Sequence, residues 1–195
     1  MNSAERKQWE DEMIRTMARE DLPHLGELLD RLEGSINTIL TGTASPLASA
    51  LAMHWNDGYR YLLERGADVN QKGPGGHTVL HQLCMREVTF NPQLIVHLAE
   101  LTLAAGADVN QADDAGMVPL LYAACAGHAG LVKCLLDAGA DPFLFSEENA
   151  ARWSRGIALL PVVENILGEA KARIHHEQIE HQTAIVHEIS RSRRF

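Results

Sequence analysis

Apolar residues recur at helical spacing in short blocks along most of the chain. One block holds Leu25, Leu28, Leu29 and Leu32, and another ends in Cys134-Leu135-Leu136. Apolar positions separated by three and four residues lie on one face of an α-helix. Gly, Pro, Asn and Asp, which end helices and form turns, separate the blocks. The pattern predicts an all-α fold of short amphipathic helices joined by tight turns.

A repeated motif closes three of these blocks. Gly66-Ala67-Asp68-Val69-Asn70-Gln71 recurs as Gly106-Ala107-Asp108-Val109-Asn110-Gln111, and then in part as Gly139-Ala140-Asp141-Pro142, at spacings of 40 and 33 residues. Each glycine follows an amphipathic stretch, so it can end a helix in the left-handed conformation. Such spacings are typical of repeat proteins.

The start of each repeat also has a signal. Ser45-Pro46-Leu47 and Val118-Pro119-Leu120 stand about 21 residues before Gly66 and Gly139, and proline suits a first helical turn. In the second repeat the equivalent Thr78-Val79-Leu80-His81 lies 28 residues before Gly106. The seven extra residues predict a longer loop between the two helices of that repeat, around Arg86 to Pro92.

These motifs resemble the ankyrin-repeat family over about residues 43 to 142. The resemblance implies an ankyrin-repeat solenoid of helix-turn-helix repeats with short β-hairpin turns, in which no repeat buries its apolar face alone. The sequence departs from the family pattern at the motif histidine, which is present only as His81. Ala48 and Leu121 take its place in the other repeats.

We expect residues 1–195 to form a single domain, because the length suits one domain. Residues 1–42 are predicted to form an N-terminal helical cap or degenerate repeat, with two helices separated near Asp21. Residues 43–142 hold three repeats. Residues 143–195 are predicted to form a degenerate C-terminal repeat with a long terminal helix and a basic tail.

Composition excludes several classes of function. With 17 Lys and Arg against 26 Asp and Glu, the net charge of −9 disfavours nucleic-acid binding. No apolar run approaches the roughly 18 residues of a membrane span, and the first residues lack an apolar signal core. The three cysteines form no C-x-x-C pair, so we expect reduced thiols. These features predict a cytoplasmic protein without a membrane partner.

The clearest candidate for chemistry is the His-rich segment at residues 175–181. It misses the zinc-protease spacing, because the position four residues after His176 is Glu180. The chain also lacks a P-loop, a dinucleotide-binding fingerprint and a Gly-x-Ser-x-Gly motif. A dyad of His81 and Cys84 is better explained by packing. We therefore expect no catalytic site, no bound metal, no cofactor and no small-molecule substrate.

The family resemblance implies a concave face, made of hairpin tips and exposed positions of the first helices, that binds another protein. By register this face carries Lys72, Pro74, His77, Met85 and Arg86 from the second repeat and Asp113, Asp114, Met117, Tyr122 and Cys125 from the third. Met and Tyr would give apolar contact, and Arg can form bidentate pairs. The adjacent aspartates would receive a basic partner.

The predicted function is a non-catalytic adaptor or inhibitor that binds one protein partner. One alternative is a cytosolic immunity protein that neutralises a toxin, since the chain is short and acidic. A second is a metal-binding protein or enzyme that uses the His-rich helix. The insertion from Arg86 to Pro92 and the C-terminal helix are two further candidate surfaces.

Overall fold

The computed structural model describes residues 3–31, 35–38, 45–86, 91–144 and 161–192. These residues form nine α-helices and contain no strand, as the predicted all-α solenoid requires. The helices are α1 (Ser3–Ala18), α2 (Leu22–Arg31), α3 (Pro46–Ala52), α4 (Asn56–Glu64), α5 (Val79–Cys84), α6 (Pro92–Ala104), α7 (Pro119–Cys125), α8 (Ala129–Asp137) and α9 (Pro161–Ser192).

The helices stack in two layers. The first helices α1, α3, α5 and α7 pack in that order, and the second helices α2, α4, α6 and α8 form a parallel row behind them. Each first helix packs on the second helix that follows it, and α9 packs on α8. The core lies between the layers and is filled by apolar side chains such as Leu47, Leu62, Leu80, Leu120 and Leu135. Each pair therefore buries its apolar face against its neighbours.

The predicted start and stop signals operate at the ends of these helices. Pro46 lies in the first turn of α3, and the Ser45 side chain accepts a hydrogen bond from the Ala48 N–H at 3.2 Å. Gly66, Gly106 and Gly139 have φ angles of 80°, 92° and 91°. This left-handed conformation is open to glycine at little cost, which confirms the predicted helix stops.

The extra residues of the inserted repeat are divided between a loop and a helix. Helix α6 has 13 residues, whereas its counterparts α4 and α8 have nine. The prediction of a lengthened loop alone is therefore wrong, because part of the insertion extends α6. Asn91 caps this helix by accepting from the Leu94 N–H at 3.2 Å. Phe90 lies outside the described residues.

A ladder of asparagine side chains joins successive repeats. The Asn70 amide donates to the Gly106 carbonyl at 3.0 Å, and its oxygen accepts from the Asp108 N–H at 2.8 Å. Asn110 makes the same two bonds with the next Gly-Ala-Asp turn, at 3.1 and 2.9 Å. One amide side chain per step thus satisfies a backbone donor and a backbone acceptor of the following repeat.

The N-terminal helix pair takes part in the same ladder. Asp21 caps α2 by accepting from the His24 N–H at 3.1 Å, where the sequence predicts the break between the helices. Asn37, 33 residues before Asn70, accepts from the Asp68 N–H at 2.8 Å. Helices α1 and α2 with the short helical turn Ser35–Asn37 therefore stack as a repeat would. The exact bounds of the predicted caps stay a prediction.

Helix α9 continues beyond its contact with α8. Val163, Leu167 and Ala170 are buried, whereas residues 175–182 are all exposed. The helix predicted to open at Ser146 and to bury Trp153 lies outside the described residues, as does the end of the basic tail. Only the start of α9 thus contributes to the core.

A buried polar pair links α4 to α6. The Thr102 hydroxyl donates to the Leu98 carbonyl at 2.6 Å, so the Tyr59 hydroxyl, 2.7 Å away, is the donor to Thr102. Tyr59 is fully buried, and burial raises its pKa to about 12. The pair thus connects the inserted repeat to the repeat before it.

The direction of this bond predicts unequal costs for its two deletions. Thr102→Val strands the buried Tyr59 hydroxyl and should lower the free energy of unfolding by about 2 kcal/mol. Tyr59→Phe leaves Thr102 bonded to Leu98 and should cost about 1 kcal/mol or less. Urea denaturation of both variants measures the difference. Equal costs, or a larger cost for Tyr59→Phe, would show that the assigned direction is wrong.

Candidate functional site

The residues predicted for the binding face differ widely in exposure. Lys72, Pro74, Met85 and Asp114 are exposed, His77, Arg86, Tyr122 and Cys125 are partly buried, and Asp113 and Met117 are buried. Direct contact of Asp113 or Met117 with a partner was predicted from register alone, and their burial contradicts it. Both side chains instead belong to the turn that carries the face.

Asp113 organises the turn between the second and third repeats. Its Oδ1 accepts from the Ala115 and Met117 N–H groups at 2.8 and 2.9 Å, and its Oδ2 accepts from the Tyr122 hydroxyl at 2.7 Å. Burial by itself would raise the pKa of Asp113, but these hydrogen bonds and nearby His77 lower it below its ordinary value. The carboxylate is therefore ionised, and it holds the turn closed.

His81 joins this turn to helix α5. Its Nδ1 accepts from the Thr78 N–H at 3.2 Å, so its Nε2 carries the proton and donates to the Met117 carbonyl at 3.1 Å. Burial lowers the pKa of His81, although the bond to Met117 opposes this effect. Both ring nitrogens are occupied, and burial raises the pKa of the Cys84 thiol well above its ordinary value. A His81–Cys84 catalytic dyad is therefore not formed.

His77 and Tyr122 form the polar surface above Asp113. The His77 Nε2 lies 3.2 Å from Asp113 Oδ2 and 3.3 Å from the Tyr122 hydroxyl. The ring of Tyr122 meets the rings of His77 and His81 edge to face, with centroids 5.9 Å apart in each case. We call His77, Asp113 and Tyr122 the turn cluster. It fixes two partly exposed aromatic side chains on a buried carboxylate.

The tips of neighbouring turns touch at Gly76. The Asp114 N–H donates to the Gly75 carbonyl at 3.1 Å, and the Lys72 ammonium donates to the Ala112 carbonyl at 2.9 Å. A Cβ atom on Gly76 would lie 2.4 Å from Asp114 Oδ1 and 2.6 Å from its backbone nitrogen. This close approach requires glycine, whose φ there is 75°.

Arg86 is anchored to the preceding repeat. Its Nη1 donates to His54 Nδ1 at 2.8 Å, and its Nη2 donates to the Leu51 carbonyl near the end of α3. Burial lowers the pKa of Arg86, with nearby Tyr59 acting against this shift. A bidentate contact with a partner, as predicted from sequence, would have to replace these two bonds.

Sequence analysis missed part of the exposed surface of the first helices. Ser49 and Gln82 occupy the position of Tyr122 in α3 and α5, and Ala52 and Met85 occupy that of Cys125 in α7. None of these six side chains is an invariant part of the repeat motif, but their equivalent register could have identified them. Together they form two rows that cross the repeats, and we call them the helix rows.

Two methionines make this surface adaptable. Met85 in the second row is 40% exposed, and Met53, at the end of α3, is 39% exposed. Methionine is flexible and polarisable, which suits a surface that packs against another protein. The helix rows thus have apolar contact area beside the polar turn cluster.

The His-rich segment does not assemble a metal site in the part of the chain that the structure describes. His176 and Glu180 lie 3.2 Å apart on the exposed side of α9, but no group of three or more candidate ligands occurs within the described ranges. None of the helices described is long and apolar enough to cross a membrane.

Comparison with known proteins finds similarity over the repeats. A family model with the description "Ankyrin repeats (3 copies)" matches residues 50–146. "Protein fem-1 homolog A-like" from Mus musculus is 38% identical over 78 residues, which cover 40% of this chain and 11% of that relative. "Protein lin-12" from Caenorhabditis elegans is 41% identical over 71 residues, which cover 36% of this chain and 5% of that relative. The chain thus spans a small part of the curated relatives it matches.

Proposed function

Because this chain belongs to the ankyrin-repeat family, whose repeats generally serve as protein–protein interaction modules, we propose that it is a non-catalytic adaptor or inhibitor. It binds a protein partner through the helix rows and the turn tips beside them. The proposed setting is the cytoplasm. Small-molecule substrates, cofactors and nucleic acids have no part in this function.

The combination of exposed apolar and polar groups on one side of the stack supports the proposal. Met53 and Met85 offer apolar contact, and Tyr122 offers an aromatic ring with a polar tip. Lys72 and Asp114 lie exposed on the turns at the edge of this surface. An apolar centre with a polar rim is the usual anatomy of a protein interface.

The face is tested by changing its two exposed methionines together. Met53→Asp with Met85→Asp places two charges where the partner would pack, and capture of the partner from native lysate should fall about tenfold or more. Mass spectrometry identifies the captured protein, and its activity with and without this chain distinguishes an inhibitor from an adaptor.

A matched control uses two exposed apolar residues of α9. Val162 and Ile179 are 51% and 47% exposed, and their double change to Asp adds the same charge away from the proposed face. The control should capture the partner as wild type does. If both double variants lose the partner equally, or neither does, this face is not the interface.

A further inference from the structure

The turn cluster places negative charge beneath a surface that is open to a partner. The Asp113 side chain is only 1% exposed, yet the His77 side chain directly above it is 29% exposed. Across the described ranges, no Lys or Arg side chain forms an ion pair with Asp113 or with Asp114 beside it. The charge of these carboxylates is therefore not balanced by a paired side chain of the described chain.

Tyr122 transmits this charge toward the surface. Its hydroxyl donates its proton to the buried carboxylate at 2.7 Å, which leaves the phenol oxygen more electron-rich. The raised pKa of Tyr122 has burial as its first cause and the bond to Asp113 as its second. A partly exposed aromatic ring with an electron-rich oxygen attracts cations both at its face and at its oxygen.

The neighbouring basic groups do not cancel this attraction. The Lys72 ammonium is bonded to the Ala112 carbonyl, and His81 is neutral because its Nδ1 accepts a hydrogen bond. The Asp114 side chain is exposed and lies against Gly76, one residue from His77. Since the whole chain has a net charge of −9, approach of a basic group is favoured at long range as well.

We propose that the turn cluster and Asp114 together receive a basic side chain of the protein partner. The inference rests on the proposed function and names the chemistry of the partner at this point. Asp114 provides the direct ion pair, and Tyr122 provides the aromatic face and an oxygen acceptor. Asp113 acts through Tyr122 as a positioning residue and does not touch the partner.

The test measures binding of a fluorescent hexa-arginine peptide by polarisation at low salt. Asp114→Asn and Tyr122→Phe should each weaken binding about fivefold. The charge-matched control is Asp137→Asn, at an exposed position on α8, which should change binding less than about twofold. Tyr122→Phe alters no charge, so its effect separates the turn cluster from general attraction to an acidic protein. Circular dichroism checks that each variant is folded.

Two outcomes would overturn the inference. One is an equal effect of Asp114→Asn and Asp137→Asn, and the other is unaltered peptide binding by a folded Tyr122→Phe variant. Tighter binding of hexa-glutamate than of hexa-arginine would have the same meaning. If the cellular partner is lost from the methionine double variant but kept by Asp114→Asn and Tyr122→Phe, the inference fails while the proposed function stands. If the methionine double variant keeps every partner, the proposed function fails.

Discussion

Replacing His81 with leucine should lower the free energy of unfolding by about 3 kcal/mol, a large share of the stability of a small domain. The change leaves the Thr78 N–H and the Met117 carbonyl without a partner, and each buried unpaired group costs about 1–3 kcal/mol. Leucine is a fair replacement in volume, and Leu121 occupies the same position in the next repeat. The loss would thus report hydrogen bonds between repeats.

The same variant should flatten the dependence of stability on pH. The pKa of His81 is lowered by burial from 6.5, so the unfolded chain binds the proton more strongly than the folded chain. Its contribution is present in full above about pH 6.5 and is lost as pH falls from there toward the folded pKa. Buried His128, whose pKa is also lowered, and Asp113 act in the same direction. Wild type should therefore lose more stability between about pH 7.5 and 5 than His81→Leu does.

Chemical denaturation at several pH values measures both effects. An exposed histidine, His97, gives the control, because His97→Gln should change stability by about 0.5 kcal/mol at most. A cost below about 1 kcal/mol for His81→Leu would mean that its hydrogen bonds do not hold the turn. An equal pH dependence of wild type and variant would contradict the assigned protonation state.

Gly76→Ala is expected to cost about 3 kcal/mol. Its φ of 75° costs an L-residue about 1–2 kcal/mol, and the new Cβ would lie 2.6 Å from the Asp114 backbone nitrogen. The two turns must separate to relieve this overlap, which also breaks the bond from the Asp114 N–H to the Gly75 carbonyl. The surface that includes the turn cluster should lose its geometry along with this stability.

The next repeat supplies a matched control for this change. Gly116 occupies the equivalent position with a φ of 78°, but a Cβ there meets nothing within 4 Å. Gly116→Ala should therefore cost only the backbone term, about 1 kcal/mol. Thermal unfolding of the two variants isolates the contact between turns as their difference. Equal melting temperatures would show that the turn tips are free to separate.

The repeat architecture could be predicted from sequence because its signals are local. Gly66 ends a helix and Pro46 begins one by the conformations their own backbones allow, so the motif and its spacing were enough. The length of α6 was harder to predict. An insertion can extend a helix or a loop at similar cost, and the residues around Pro92 favour neither strongly.

The candidate site was less predictable because its key contacts join residues that are distant or out of register. Asp113 was placed on the surface since a charged residue in a turn is usually exposed. The turn instead folds over its carboxylate and supplies two N–H donors, for which the only local hint was Gly116 three residues later. Arg86 likewise bonds to Leu51 and His54, and nothing near it in sequence indicates those partners.

The asparagine ladder has a consequence for the ancestry of such arrays. Asn37 makes a ladder bond to Asp68 although it precedes the segment, residues 50–146, that still matches the family. A single amide therefore preserves the docking of a unit whose other motif residues have drifted beyond recognition. Divergent members can be sought by this one asparagine, at a repeat's distance from the first clear motif, where profile comparison stops too early.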